Sequence, residues 1–210
     1  MASGADTIGP RWQQFKPLHN VCEFLHALHV YAEDANKGIT RFVEANHFCS
    51  HARKDLRQCL IYDSNAKDAR LIGVEYMIPK HVYLTLDPEE QKLWHSHEFE
   101  VKSGMLVFPK PDGWDTEEWE KAELAAMKEV VGLYGKTWHF WQTDLGHEVP
   151  LGYPTLMGSF THADQLHMDE ALKRRDQQFG ISYKQKAAAR ADIPPPGVHE
   201  NADYWWKSNR

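Results

Sequence analysis

The chain has 210 residues, 42% of them apolar and 12% aromatic, enough to bury a sizeable core. A formal charge of -6 argues against nucleic acid as a partner, because phosphate binding needs a basic face; the run Lys173, Arg174, Arg175 reads as a solvated helix surface. No stretch approaches the ~20 apolar residues of a transmembrane segment, and the start MASGADTIGPRWQQ lacks a secretory signal pattern.

Residues 1–16 read as a loose N-terminal arm. Residues 17–36 place Val21, Phe24, Leu25 and Leu28 at i, i+3, i+4 and i+7, which predicts a helix with one apolar face. His26 and His29 fall beside that face and read as boundary or solvent histidines. Residues 39–51 alternate after Gly38, and 56–62 and 71–78 are rich in branched and aromatic side chains, so three consecutive strands in an antiparallel meander are expected. Asp87, Pro88 and Glu90 mark a short capped helix. Residues 98–108 then return to strand character.

A long helix is expected over 116–134, stopped by Gly135, followed by an alternating strand over 136–144 and a short one in TLMGSF. Residues 164–179 and 183–192 read as helices, the second capped by Ser182. The prolines of IPPPGVHENADYWWKSNR exclude a helix there, so 193–210 is expected to wrap the body, anchored by Tyr204, Trp205 and Trp206. The sum is one α+β domain over 17–192: a mainly antiparallel sheet or open barrel flanked by helices, with a long C-terminal arm. Three cysteines, Cys22, Cys49 and Cys59, with no CxxC spacing, suit free thiols in a reducing cytoplasm.

Four clusters could carry chemistry. On a strand, His95 and His97 would point the same way and could reach one cation at ~2.0–2.2 Å. The pair resembles part of the first cupin motif, although Glu98 and Glu100 follow too early for it. Alternation puts His47, Cys49 and His51 in one row about 13 Å long, within which neighbours could share a metal; a core cysteine between backbone-bonded histidines fits equally. His139, set among Trp138, Phe140 and Trp141, needs a specific partner, and the tryptophans could wall a ligand. Glu75 in LIGVEYMI must be paired, protonated or turned to a polar cavity, as a base, a ligand or an ion-pair partner. Because His51, Glu75, His97 and His139 lie on different expected strands, a small barrel could aim them at one interior point. No GxGxxG, P-loop, GxSxG or HExxH pattern occurs.

The runs HFCSH, RQCLIYDS, ARLIGVEYMI, LWHSHEFEVKSG, YGKTWHFWQTD and LGYPTLMGS, in that order, resemble the oil body-associated protein family, long catalogued as a domain of unknown function. The resemblance extends over roughly residues 20–206 and includes FGIS, RADIP and NADYWW. It implies a soluble protein able to sit at lipid-droplet surfaces, with no reaction attached to the family as a whole. One departure is His147, in GHEVP, where the family typically carries an aspartate.

Two readings follow. One is a lipid-droplet-associated protein, or one with a pocket for a small apolar ligand, as a monomer or homodimer. The other is a metal-dependent enzyme with zinc or iron as cofactor. In it His51, His95, His97 and His139 are the metal ligands, Glu75 and Glu98 the catalytic carboxylates, and Trp138, Trp141 and His47 line the substrate site.

Overall fold

A computed structural model describes residues 14–207. Seven strands form it: β1 (Glu23–Tyr31), β2 (Phe42–Arg53), β3 (Leu56–Tyr62), β4 (Leu71–Pro79), β5 (His95–Ser96), β6 (Leu133–His139) and β7 (Thr155–Gly158). They run in the order β4-β3-β2-β1-β7-β6-β5, and β4 also pairs with β6. That last pairing closes six antiparallel strands into a barrel, with β5 added beside β7 along one edge of β6. Closure gives each ring strand a neighbour on both sides, although β1 meets β7 only at Val30 and Tyr31.

The expected meander is present as β2, β3 and β4, which pair antiparallel in sequence order. The expected helix over 17–36 is not: its centre is β1, flanked by the short helices Lys16–His19 and Ala32–Asn36. Every residue from Leu25 to Tyr31 is buried, because one face of β1 lines the barrel and the other lies under the C-terminal helices. A strand covered on both faces has no alternation, so helical spacing arose among its apolar residues by default. The full burial of Leu28 and Val30 stabilises the fold by about 1.5–3 kcal/mol each.

Residues 98–108 are likewise not a strand. A helix over Glu98–Lys102, acidic in its first turn, leads into an extended segment whose Val107 bridges to His26. The long helix runs Thr116–Val130, capped by Asp115, and Gly135 lies inside β6 rather than stopping the helix. Asp87 caps Pro88–Gln91 and Ser182 caps Tyr183–Ala189, as expected.

Cys49 and Cys59 are not free thiols. They face each other across β2 and β3 and form a disulfide, leaving Cys22 as the exposed free cysteine. Two buried arginines fasten the C-terminal helices to the body. Arg175 donates to the carbonyls of Gly104 and Met105, and Arg190 to those of Val101 and Leu106 and to Glu123. Beyond Ile193 the described residues form no long element, but Ala202 and Trp205 are buried against the body while Tyr204 is exposed. The expected arm over 1–16 falls almost wholly outside the described residues.

Candidate metal centre

Strand alternation and the pairing register decide which side chains enter the barrel. Cys59 pairs with Glu75, Glu75 with Thr137, Gly73 with His139 and Leu25 with His47, so these residues share the inner face. The interior is layered. Leu25, Ala27, Cys49, Cys59 and Met77 make one apolar layer, and Tyr31, Val43, Ala45, Ile61 and Met157 another. Between them lie His29, His47, Glu75, His95, His97 and His139, each no more than 2% exposed.

Glu75 is the centre of this polar layer. Its Oε2 is 2.9 Å from His47 Nε2 and 4.0 Å from His29 Nε2; its Oε1 is 3.2 Å from His95 Nε2 and 3.5 Å from His97 Nε2. His29 Nε2 and His47 Nε2 are 3.1 Å apart, and His29 Nδ1 is 3.0 Å from His139 Nε2. His97 Nδ1 donates to the Leu133 carbonyl at 3.0 Å, and its Nε2 faces Glu75. Two sets, His29–His47–Glu75 and Glu75–His95–His97, each bring one donor atom per residue within 4.8 Å of the others.

The electrostatics follow from burial and from Glu75. Burial alone would raise the Glu75 carboxyl, but His47, His95 and His97 together hold it well below the usual carboxylate range. Burial lowers His29 well below the ordinary imidazole value, with His47 and His139 adding to it, and takes His139 down to about 3. His97 goes the other way: burial opposes its charge, yet the Glu75 contact prevails and pushes it up to about 9. Close approach is needed here, and Gly135 provides it. A Cβ on Gly135 would fall 2.7 Å from His95 Nε2 and closer still to Glu75 Oε1.

Four of the expected residues, Glu75, His95, His97 and His139, thus meet at one point, and His47 meets them there as a neighbour of Glu75 rather than as part of a ligand wall. Others do not. His51 sits at the end of β2, past the barrel rim, with an exposed side chain bonded to Glu23. Glu98 faces outward on its helix and accepts from the Gly197 amide. Trp138 points to the outer face of β6, and Trp141 lies beyond the strand with its indole bonded to the His147 carbonyl. His29 was not expected. The signal for it is two histidines inside the otherwise apolar run FLHALHVY, a polar content that an exposed helix face explains but a buried strand does not unless the histidines have partners. Of the two carboxylates after His97, Glu100 and not the expected Glu98 is the buried one, with an unbonded Oε1 and a carboxyl raised by burial, against the opposing pull of His97 and His95.

Residues 15–194 match a family model described as "Protein of unknown function (DUF1264)". The chain is 41% identical over 200 residues to oil body-associated protein 1B of Arabidopsis thaliana, which covers 94% of this chain and 78% of that protein. It is 42% identical over 200 residues to oil body-associated protein 1A of Zea mays, at 94% and 79% coverage, and 38% identical over 202 residues to protein 2A of the same plant, at 94% and 75%. No solved structure matches it. The likeness runs through the barrel strands and the segments that carry the buried histidines, and the chain belongs to the oil body-associated protein family.

Proposed function

We propose that this protein is a metal-binding barrel, with a divalent transition metal held by Glu75 and the histidines around it. One observation carries the reading. Glu75 Oε1 and His95 Nε2 are 3.2 Å apart and fully buried, yet neither has a hydrogen-bond partner among the described residues. Buried polar atoms left without hydrogen-bond partners cost free energy in a dry core, and a cation between this carboxylate oxygen and this imidazole nitrogen would satisfy both. Donors bonded to one ion at ~2.1 Å are separated by about 3.0–3.4 Å, which matches the spacing here. An imidazole-rich set with one carboxylate suits zinc or iron better than calcium or magnesium. Glu75 is then a ligand, not a free catalytic base.

Metal content of the purified protein, by mass spectrometry, tests this. We expect at least one equivalent of zinc or iron per chain, and a marked loss for His97→Ala. Well under one-tenth of an equivalent in the wild type, after growth in supplemented medium, would refute the proposal.

A second reading concerns location and rests on a different observation. The relatives are named for oil bodies. Among the described residues no helix is long and apolar enough to cross a membrane. Between β6 and β7, however, Leu145, Val149, Leu151 and Tyr153 are all at least half exposed, Tyr153 at 92%. Such side chains could insert into a lipid monolayer without any spanning segment. Flotation with phospholipid-coated triacylglycerol droplets should recover the wild type and lose a variant carrying serine at these four positions. Equal recovery of the two would remove this loop from the reading.

A further inference from the structure

The donors around Glu75 do not form one sphere. They form two sets that have Glu75 alone in common. His29 and His47 stand against Oε2, and His95 and His97 against Oε1, so the two carboxylate oxygens face opposite pairs of imidazoles. With bonds of ~2.1 Å, two donors on a single ion can be no more than about 4.2 Å apart. Each histidine stands within 4.0 Å of its own carboxylate oxygen.

We infer that the barrel holds two divalent metal ions, bridged by the Glu75 carboxylate, one bound by His29 and His47 and the other by His95 and His97. The inference rests on the metal-binding reading above and adds a second site to it.

The residues behind the donors support one site on each side. On the first side, an N–H on His29 Nδ1 can donate to His139 Nε2 at 3.0 Å, which frees His29 Nε2 for the ion. His139 is then a positioning residue rather than a ligand. On the second side, the His97 Nδ1 donation to the Leu133 carbonyl performs the same service for His97 Nε2. Outer hydrogen bonds of this kind fix the tautomer and aim of metal-bound imidazoles. Both sides therefore have one ligand oriented from behind.

Charge also argues for a second cation. One dication against Glu75 alone leaves little reason for another buried carboxylate nearby. Glu100 is nonetheless 1% exposed, its Oε1 has no hydrogen-bond partner, and it lies in the field of His95 and His97. A second dication on the His95–His97 side would set a cation near this buried carboxylate. Gly135 completes that side, since any side chain there would occupy the space next to Glu75 Oε1 and His95 Nε2.

The test is stoichiometry on the intact chain. Protein stripped with a chelator and reloaded with Zn²⁺ or Co²⁺, then desalted, should carry two equivalents. His29→Gln and His95→Gln should each carry one, because each breaks one set and leaves the other intact. X-ray absorption of the zinc-loaded wild type should contain a metal–metal scattering shell at about 3.5–4 Å. A single equivalent in the wild type, with no such shell, would overturn the bridged pair while sparing the metal-binding proposal. No retained metal at all would overturn both. Should a glutamine variant fail to fold, the wild-type stoichiometry and the scattering shell still decide the matter.

Discussion

Gly135→Ala is the smallest change that should dismantle the centre without removing a ligand. Gly135 lies in β6 opposite both Met77 and His95, and its missing side chain is what lets Glu75 and His95 approach. The added methyl would stand 2.7 Å from His95 Nε2, roughly 0.6 Å inside an ordinary contact of about 3.3 Å, and closer to Glu75 Oε1. Neither neighbour can step aside, since His95 is pinned within β5 and Glu75 is walled in by His29, His47 and His97. Overpacking of this kind costs about 1–3 kcal/mol, or roughly 2–12 °C in Tm for a domain of this size. Alanine is intrinsically better than glycine in a strand by about 0.5–1 kcal/mol, so any fall in Tm is a conservative measure of the clash. Differential scanning fluorimetry and metal analysis should both register the loss. Gly132→Ala is the control, because its methyl would find nothing nearer than 3.9 Å and should leave both readouts unchanged. A Gly135→Ala protein with wild-type Tm and undiminished metal would refute the assignment of this space to the site.

Three further outcomes are expected. Thiol titration in denaturant without reductant should find one thiol, Cys22, and three after reduction; replacing Cys49 and Cys59 by alanine should cost about 2–4 kcal/mol, and three thiols before reduction would exclude the bridge. Arg190→Met strands the Val101 and Leu106 carbonyls and takes one partner from Glu123, which keeps Lys186 and the Phe108 amide, so urea denaturation should reveal a loss of about 1–3 kcal/mol, only partly recovered by Arg190→Lys, whose ammonium cannot span the same acceptors. The metal-free protein should be most stable near pH 6.5. Folded His139 takes its proton only at about 3, against 6.5 unfolded, and His29 shifts the same way, so their contribution is whole above 6.5 and lost as pH falls. His97 at about 9 does the reverse, with a contribution that is whole below 6.5 and lost as pH rises through 9. A Tm that climbs steadily from pH 5 to 9 in chelator would contradict this.

The strands marked by alternation or by a run of branched and aromatic residues are the ones legible in the sequence. HFCSH and LIGVEYMI announced β2 and β4, and from them the convergence of Glu75 with histidines on other strands could be anticipated. β1 was illegible for a physical reason: buried on both faces, it has no period, and its histidines were assigned to solvent when one of them stands within 4.0 Å of Glu75. His51 was misplaced because a row of alternating residues does not reveal where the barrel ends. Its neighbour Cys49 is inside, while His51, one step further along the same face and still in register with Arg57, is exposed just before the bulge between His51 and Arg53. Glu98 and Glu100 exchanged places because a strand was assumed where a helix forms, and the helix turns Glu100, not Glu98, to the interior. The disulfide could not be read from spacing at all, since it depends on the register of β2 against β3.

The site also depends on chain far from it. β5 is two residues long and could not hold His95 in place by its own ladder. It is braced by Asp203, 107 residues away, whose carboxylate accepts from the Ser96 amide at 2.9 Å and the Ser96 hydroxyl at 2.7 Å, while its own amide donates to Trp94 at 3.0 Å. Asp203 does this at φ 55, a left-handed conformation that costs a non-glycine residue about 1–2 kcal/mol and persists only where the surroundings dictate it. The next anchor, Trp205, sits so close to Gly158 that a Cβ there would meet its indole, which ties the same segment to β7. The donors on the Oε1 side of Glu75 are therefore positioned by the end of the chain.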